Sequence, residues 1–131
     1  MGPPQNYKPP YYPVPQPEPT RDPFPPLNDP DTAPDLCKQT CSDERLAQLT
    51  KDVTDKCKGK LETCLDDDPY WVLKNKWNTF NECAKARRRR ERECLGGGDK
   101  GHVKQIKTVE EGRKNCDRIL NQRPPQRGVI V

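Results

Sequence analysis

Residues 69–102 read PYWVLKNKWNTFNECAKARRRRERECLGGGDKGH, and this stretch decides the fold that we predict for the chain. Its apolar side chains recur every three or four residues, which is the spacing of one face of an α-helix. These side chains are Tyr70, Leu73, Trp77, Phe80 and Ala84. Proline is favoured in the first turn of a helix, and a run of glycines ends one. The stretch therefore predicts a helix from about Pro69 to Cys94.

The same periodicity predicts one helix on either side of this one. The stripe before it consists of Leu46, Leu49, Val53, Cys57, Leu61 and Cys64, and we expect that helix to end at Asp66 to Pro69. The stripe after it consists of His102, Ile106, Val109, Arg113, Cys116 and Leu120, on a helix from about Lys100 to Asn121. Short connections predict that the three helices fold back on one another.

The proline content predicts where this helical part begins. Thirteen of the 16 prolines precede Asp35, and proline removes a backbone donor and fixes φ. We therefore predict a disordered proline-rich arm over residues 1–34, a cysteine-rich helical domain over 35–123 and a tail over 124–131. The arm is expected to be a tether, and the alternative is a docking peptide for a groove that binds proline.

The composition predicts a thin core that needs cross-links. Hydrophobic residues make up 30% of the 131 residues, against about 45–50% in an ordinary globular domain, and the chain has seven cysteines. The predicted fold class is thus all-α, a small disulfide-stapled bundle of about three helices. No segment is apolar for long enough to cross a bilayer. Residues 1–10 lack the apolar run of a signal peptide, so export would need another route or a longer precursor.

The helix order suggests which cysteines pair. If the first two helices turn near residue 67, Cys41 faces Cys94. If the last two turn near residue 97, Cys83 comes within about one helical turn of Cys116, and Cys57 competes for Cys83. An odd count leaves at least one free thiol or an intermolecular bridge.

Two other states of the cysteines remain open at this point. Cys57 and Cys64 cannot pair with each other if they share one helix, so they need other partners or remain as thiols. Reduced cysteines packed in the core would suit a reducing cytosol, whereas disulfides indicate a non-reducing compartment. A zinc site is disfavoured by the spacing, which contains no Cys-x2-Cys pair.

The charge of the predicted domain favours an anionic partner. The net charge is +4, and the arm holds two of the 24 basic and four of the 20 acidic side chains, which leaves 22 basic and 16 acidic ones elsewhere. The run Arg87 to Arg90 could bind phosphates, or it could be the solvated end of a helix. We predict an anion-binding group of Arg87, Lys100 and Gly98, because glycine lets a ligand approach the backbone.

His102 is the candidate catalytic residue, since it is the chain's one histidine and follows a glycine-rich loop. Its imidazole could act as an acid or base, with Asp99 to orient it and Arg113 on the same helical face. The alternative is a capping or surface histidine. No cofactor is predicted.

A resemblance supports this choice of residues. The stretch from Cys94 through three glycines to His102, followed by Ile106 and Cys116, resembles the C-terminal toxin modules of bacterial polymorphic toxins, including Rhs-type proteins. Within these it is most similar to the novel toxin 16 family, over residues 37–120. The resemblance implies an all-helical toxin domain, delivered into or onto a rival cell, with a cognate immunity protein as its partner.

Three functions are therefore expected. The first is a secreted or delivered toxin effector, hydrolytic and nuclease-like, with His102 as acid or base. The second is a non-enzymatic secreted binding module rich in disulfides, although known paired-cysteine hairpins repeat Cys-x9-Cys and this chain has x6 and x10. The third is a nucleic-acid binder that depends on arginine, whose affinity would fall steeply with salt.

Overall fold

The computed structural model describes residues 23–123, and within them it contains three α-helices and no strand. They are α1 (Asp43–Cys57), α2 (Tyr70–Cys94) and α3 (Lys100–Gln122), and α2 packs against both of the others. The predicted all-α bundle of three helices is confirmed. The predictions for residues 1–22 and for the tail at 124–131 lie outside the described residues. Within the described range, no helix is both long and apolar enough to span a membrane.

The first helix is shorter than the sequence predicts. Ser42 caps α1 by accepting the Arg45 N–H, but the helix ends at Cys57, whereas the sequence predicts an end at Asp66 to Pro69. Lys58 is extended and Gly59 has a φ of 68°, a conformation that breaks a helix. Cys64 is still buried, because the loop after α1 returns it to the core. The apolar residues therefore keep the helical spacing of three and four beyond Cys57, although α1 has already ended there.

The core forms where α2 contacts both neighbours. Its buried side chains come from all three helices and include Val53, Leu73, Phe80, Ala84, Val109 and Ile119. Not all of the predicted stripe of α2 is buried, since Tyr70 at its start is exposed. Gly112 of α3 lies so close to the Phe80 ring that a Cβ there would be 2.7 Å from Cζ. This contact sets the distance between α2 and α3.

Three disulfides hold the helices together. They are Cys41–Cys94, Cys57–Cys83 and Cys64–Cys116, with Cys37 as the free cysteine. The predicted pairing of Cys41 with Cys94 agrees with the structure, whereas the pairing of Cys83 with Cys116 is wrong. The early end of α1 explains the difference, because Cys57 stays opposite α2 while the following loop carries Cys64 to α3. The six sulfurs are thus bonded to one another in pairs across the bundle.

Residues 23–36 form a segment that we call the strap. The sequence predicts a disordered arm up to residue 34, but the described part of that arm has no regular secondary structure and nevertheless lies against the α2–α3 loop. Ala33 is buried, and the Pro34 carbonyl accepts the first N–H of α3, from Lys100, at 2.8 Å. Proline lacks an N–H but keeps its carbonyl, so a proline-rich segment can still accept hydrogen bonds.

Candidate functional site

His102 lies in the first turn of α3, at the end of the bundle where α2 and α3 are joined. Asp99 caps this helix, and its Oδ1 accepts the His102 backbone N–H at 2.8 Å. The imidazole packs against α2 on one side and is 38% exposed. The ring is therefore held by the protein and still open to solvent.

The ring contacts a buried carboxylate on α2. His102 Nδ1 lies 2.8 Å from Oε1 of Glu91, whose side chain is 0% exposed. The other carboxylate oxygen, Oε2, accepts from Arg90 Nε at 2.9 Å. Burying a charged carboxylate is costly unless it is paired and hydrogen-bonded, and here both oxygens have partners. Arg90, Glu91 and His102 thus form one connected polar network at the α2–α3 seam.

Glu91 takes the orienting position that the sequence analysis assigns to Asp99. Asp99 Oδ2 is 3.8 Å from His102 Nδ1, beyond hydrogen-bonding distance, so Asp99 acts as a helix cap. The sequence patterns do not single out Glu91, because it lies in a run of charged residues. One pattern could have found it: the inward stripe of α2 reaches Ala84, and position 91 is seven residues further on the same face.

The contact with Glu91 distinguishes the two nitrogens of the His102 ring. An ionised carboxylate accepts hydrogen bonds only, so the contact with an ionised Glu91 favours the tautomer of His102 that has its proton on Nδ1. Nε2 is then left as the acceptor in the neutral ring and faces away from the carboxylate. An imidazole held in this way can take a proton on Nε2 and return it, as general acid–base catalysis requires.

The glycine loop supports this network instead of offering its backbone to a ligand. Gly96, Gly97 and Gly98 all have positive φ, and a Cβ on Gly98 would lie 2.9 Å from Val103 Cγ1 and 3.3 Å from Glu91 Oε1. The Gly98 N–H donates to the Leu95 carbonyl, at 2.9 Å. Its role as an anion-binding residue is therefore not supported, since its backbone groups already have partners inside the protein.

The four arginines of the run from Arg87 to Arg90 differ in their contacts. Arg88 pairs with Glu110 of α3, Arg90 with Glu91, and Arg89 is exposed. Arg87 donates from Nη1 to Gln105 Oε1 at 3.0 Å, while its buried Nε has no hydrogen-bond partner among the described residues. Burial, followed by the nearby charge of Arg90, lowers the pKa of Arg87. Arg87 is thus the member of the run that an anion would stabilise most.

Two further predicted site residues differ in their distance from His102. Arg113 donates to Asn81 Oδ1 at 3.0 Å, and 11 residues of helical rise place it about 16 Å from His102. It therefore belongs to the α2–α3 packing and not to this site. Lys100 lies in the first turn of α3, two residues before His102, and its side chain is half-buried.

The free cysteine lies near the same end of the bundle. Partial burial and then the carboxylate of Asp99 raise the pKa of the Cys37 thiol, and a hydrogen bond from the Gly98 backbone acts in the opposite direction. The Glu91 carboxylate adds a smaller contribution to the increase. The pKa of the Cys37 thiol therefore depends on groups of the loop from α2 to α3.

Comparison with known protein families gives one match that covers most of the chain. The profile of the family described as novel toxin 16 matches residues 37–119. The chain belongs to the novel toxin 16 family. The match spans all six disulfide cysteines together with Glu91 and His102, and it begins immediately after the strap. The resemblance seen in the sequence is thereby confirmed at the level of the toxin family. Neither the curated proteins nor the solved structures contain a match to this novel toxin 16 domain.

Proposed function

We propose that this domain is a toxin effector that acts on a rival cell by hydrolysis, with His102 as the general acid or base. The observation that carries the proposal is the 2.8 Å contact between His102 Nδ1 and the fully buried carboxylate of Glu91. This contact holds the ring through Nδ1 and leaves Nε2 free of Glu91, on a side chain that is 38% exposed. Membership of a toxin family supplies the class of function, and the pair of residues supplies the chemistry.

A nucleic-acid phosphodiester is the substrate class that the surroundings favour. Arg87 is on the same face of α2 as Glu91, one helical turn earlier, and its buried Nε has no hydrogen-bond partner within residues 23–123. Lys100 adds a positive charge beside the N-terminus of α3, where the helix dipole also attracts anions. A nuclease-like reaction would place the phosphate against Arg87 and Lys100, with His102 Nε2 exchanging a proton with the attacking or leaving oxygen.

The family and the cross-links support a proposal for the compartment and the partner. Three disulfides are typical of a protein that works outside a reducing cytosol, so we propose a secreted or delivered toxin of the polymorphic, Rhs-type class. The producing cell would then need a cognate immunity protein. Its expected binding site is the exposed side of His102, where it would block Nε2.

Expression in a bacterium tests the proposal. In a strain with an oxidising cytosol, where the disulfides can form in either compartment, the chain is produced with and without an export signal, as the wild type, His102→Ala and Glu91→Gln, with Lys104→Ala as the matched control. Lys104 is an exposed residue of the same helix. We expect the wild type and Lys104→Ala to stop growth in the compartment where the target lies, and the other two variants to be harmless. Equal toxicity of His102→Ala and the wild type would favour the non-enzymatic binding module.

Purified protein then tests the reaction. RNA and DNA are incubated with the wild type and the same variants, after circular dichroism has shown that each is folded. Loss of a general acid or base typically costs about 10²–10⁴-fold in rate, so His102→Ala should release fragments at least 10²-fold more slowly. Fragment release by the wild type at the level of His102→Ala would overturn the nuclease proposal.

A further inference from the structure

The strap is bound to the glycine loop chiefly through one side chain. Asn28 donates its backbone N–H to the Gly97 carbonyl at 2.9 Å. Its side-chain Nδ2 donates to the Gly98 carbonyl at 2.8 Å and to the Gly96 carbonyl at 3.3 Å. A single residue of the strap thus binds all three carbonyls of the loop.

Other contacts hold the two ends of the strap. Arg92 of α2 donates from Nε to the Pro25 carbonyl at 2.7 Å and from Nη2 to the Phe24 carbonyl at 3.1 Å. The Pro26 carbonyl lies so close to Gly97 that a Cβ there would be 2.7 Å from it. With the bond from Lys100 to Pro34, these contacts span the whole strap. The strap is therefore held by α2 near its start, by the glycine loop at Pro26 and Asn28, and by the first residue of α3 near its end.

The loop needs this support because of its composition. Three consecutive glycines in positive-φ conformations have more conformational freedom to lose than any other tripeptide. The loop leads directly into Asp99, which caps α3 and accepts the His102 N–H. It also packs Gly98 against Glu91 Oε1. A shift of the loop would consequently move both groups that fix the imidazole.

We infer that Asn28, through its hydrogen bonds from the strap to the glycine loop, is a positioning residue for His102. Asn28 fixes the Gly96–Gly98 loop, and the loop in turn fixes the Asp99 cap and the contact between Glu91 and His102. This inference deepens the proposed function and rests on it for its effect on hydrolysis. The predicted effect of Asn28 on the position of the His102 ring does not depend on the proposed function. The strap precedes residues 37–119, so the family match does not include it.

The test uses the full chain and the fact that it contains one histidine. Asn28→Asp replaces the Nδ2 donor with an oxygen and places it against two carbonyls, and Thr32→Ala is the matched control on an exposed strap residue. Long-range proton–nitrogen NMR spectra of the His102 ring report its tautomer and hydrogen bonding. We expect Asn28→Asp to shift both ring nitrogens and Thr32→Ala to leave them at their wild-type positions.

Activity gives the second readout. Small misplacements of catalytic groups can cost up to about 10²-fold in rate, so kcat on the nucleic acid should fall by about 10–10²-fold in Asn28→Asp, with a smaller change in KM. Ring signals and kcat that equal those of the wild type would overturn the inference. If Asn28→Asp does not fold, Asn28→Ser removes the reach of the side chain without adding charge and is measured in the same way.

The two proposals fail in different ways. Shifted ring signals in Asn28→Asp, together with unchanged activity of His102→Ala, would leave Asn28 as a positioning residue and refute the catalytic role of His102. Unshifted ring signals in Asn28→Asp, together with an inactive His102→Ala, would refute the role of the strap and keep the proposed function.

Discussion

The substitution Gly→Ala should have opposite effects on stability at two positions of α3. Gly112 faces the Phe80 ring, and an added Cβ would lie 2.7 Å from Cζ and 2.8 Å from Cδ1. Gly101 is exposed, and its added Cβ would meet only Asp99 Oδ1, at 3.6 Å. Both residues are helical, so the gain in helix propensity from Gly→Ala is of the same order at each position.

The magnitudes follow from these distances. Carbon atoms pack best about 3.5–4.0 Å apart, and the methyl group that Gly112→Ala adds would come even closer to Cε1 than to these two atoms, so it would be more than about 1 Å too close to the ring in an unmoved structure. Overpacking of a core costs about 1–3 kcal/mol, and contacts as short as these belong in the upper half of that range, about 2–3 kcal/mol, of which the better helix propensity of alanine recovers about 1 kcal/mol. We therefore expect Gly112→Ala to lower the free energy of unfolding by about 1–2 kcal/mol, and Gly101→Ala to raise it by up to about 1 kcal/mol.

Urea unfolding, followed by circular dichroism without reductant, measures both variants against the wild type. A loss of about 1 kcal/mol lowers Tm by about 4–8 °C in a domain of this size, so thermal melts give an independent check. A Gly112→Ala variant that is as stable as the wild type, or more stable, would show that α2 and α3 do not pack too closely at Phe80 for an added methyl group.

Two further predictions concern the cysteines. A strong reductant should abolish the helical signal and the melting transition. The three bridges close loops of 52–53 and 26 residues and are worth about 3–4 kcal/mol each in the chain-entropy model. The control Cys37→Ser should melt like the wild type, and a reduced chain with an unchanged melt would show that the bridges are dispensable. The Cys37 thiol has a raised pKa, and the thiolate is the reactive form, so alkylation of the native protein should reach half of its maximal rate at a higher pH than alkylation of the denatured, unreduced chain. A lower midpoint in the native protein would contradict the burial of this thiol beside the Asp99 carboxylate.

The helix boundaries that the sequence predicts well are those marked by backbone chemistry. Pro69 begins α2 as its N-cap, and the glycines after Cys94 end it, because these residues restrict or free the backbone whatever surrounds them. The end of α1 carries a single glycine, Gly59, within a continuing apolar stripe, and the stripe predicts a longer helix. That one error displaces Cys64 and produces the wrong partner for Cys83.

The candidate site was predictable only in part, for a related reason. The one histidine beside a glycine loop stands out in the sequence, and its position in the first turn of α3 follows from the loop. Glu91 does not stand out, because its burial depends on where α3 packs, and its partners lie on both helices. The strap is hidden for another reason, since its proline content indicates the lack of regular structure but not the carbonyls that bind Lys100 and Arg92.

Glu91 is expected to hold the neutral His102 ring with its proton on Nδ1. The long-range proton–nitrogen NMR spectrum of the neutral ring tests it directly, and the chain's one histidine makes the assignment unambiguous. We predict a protonated Nδ1 and an unprotonated Nε2, with loss of this pattern in Glu91→Gln. A wild-type ring protonated on Nε2, or one that exchanges between tautomers like a free imidazole, would contradict the account.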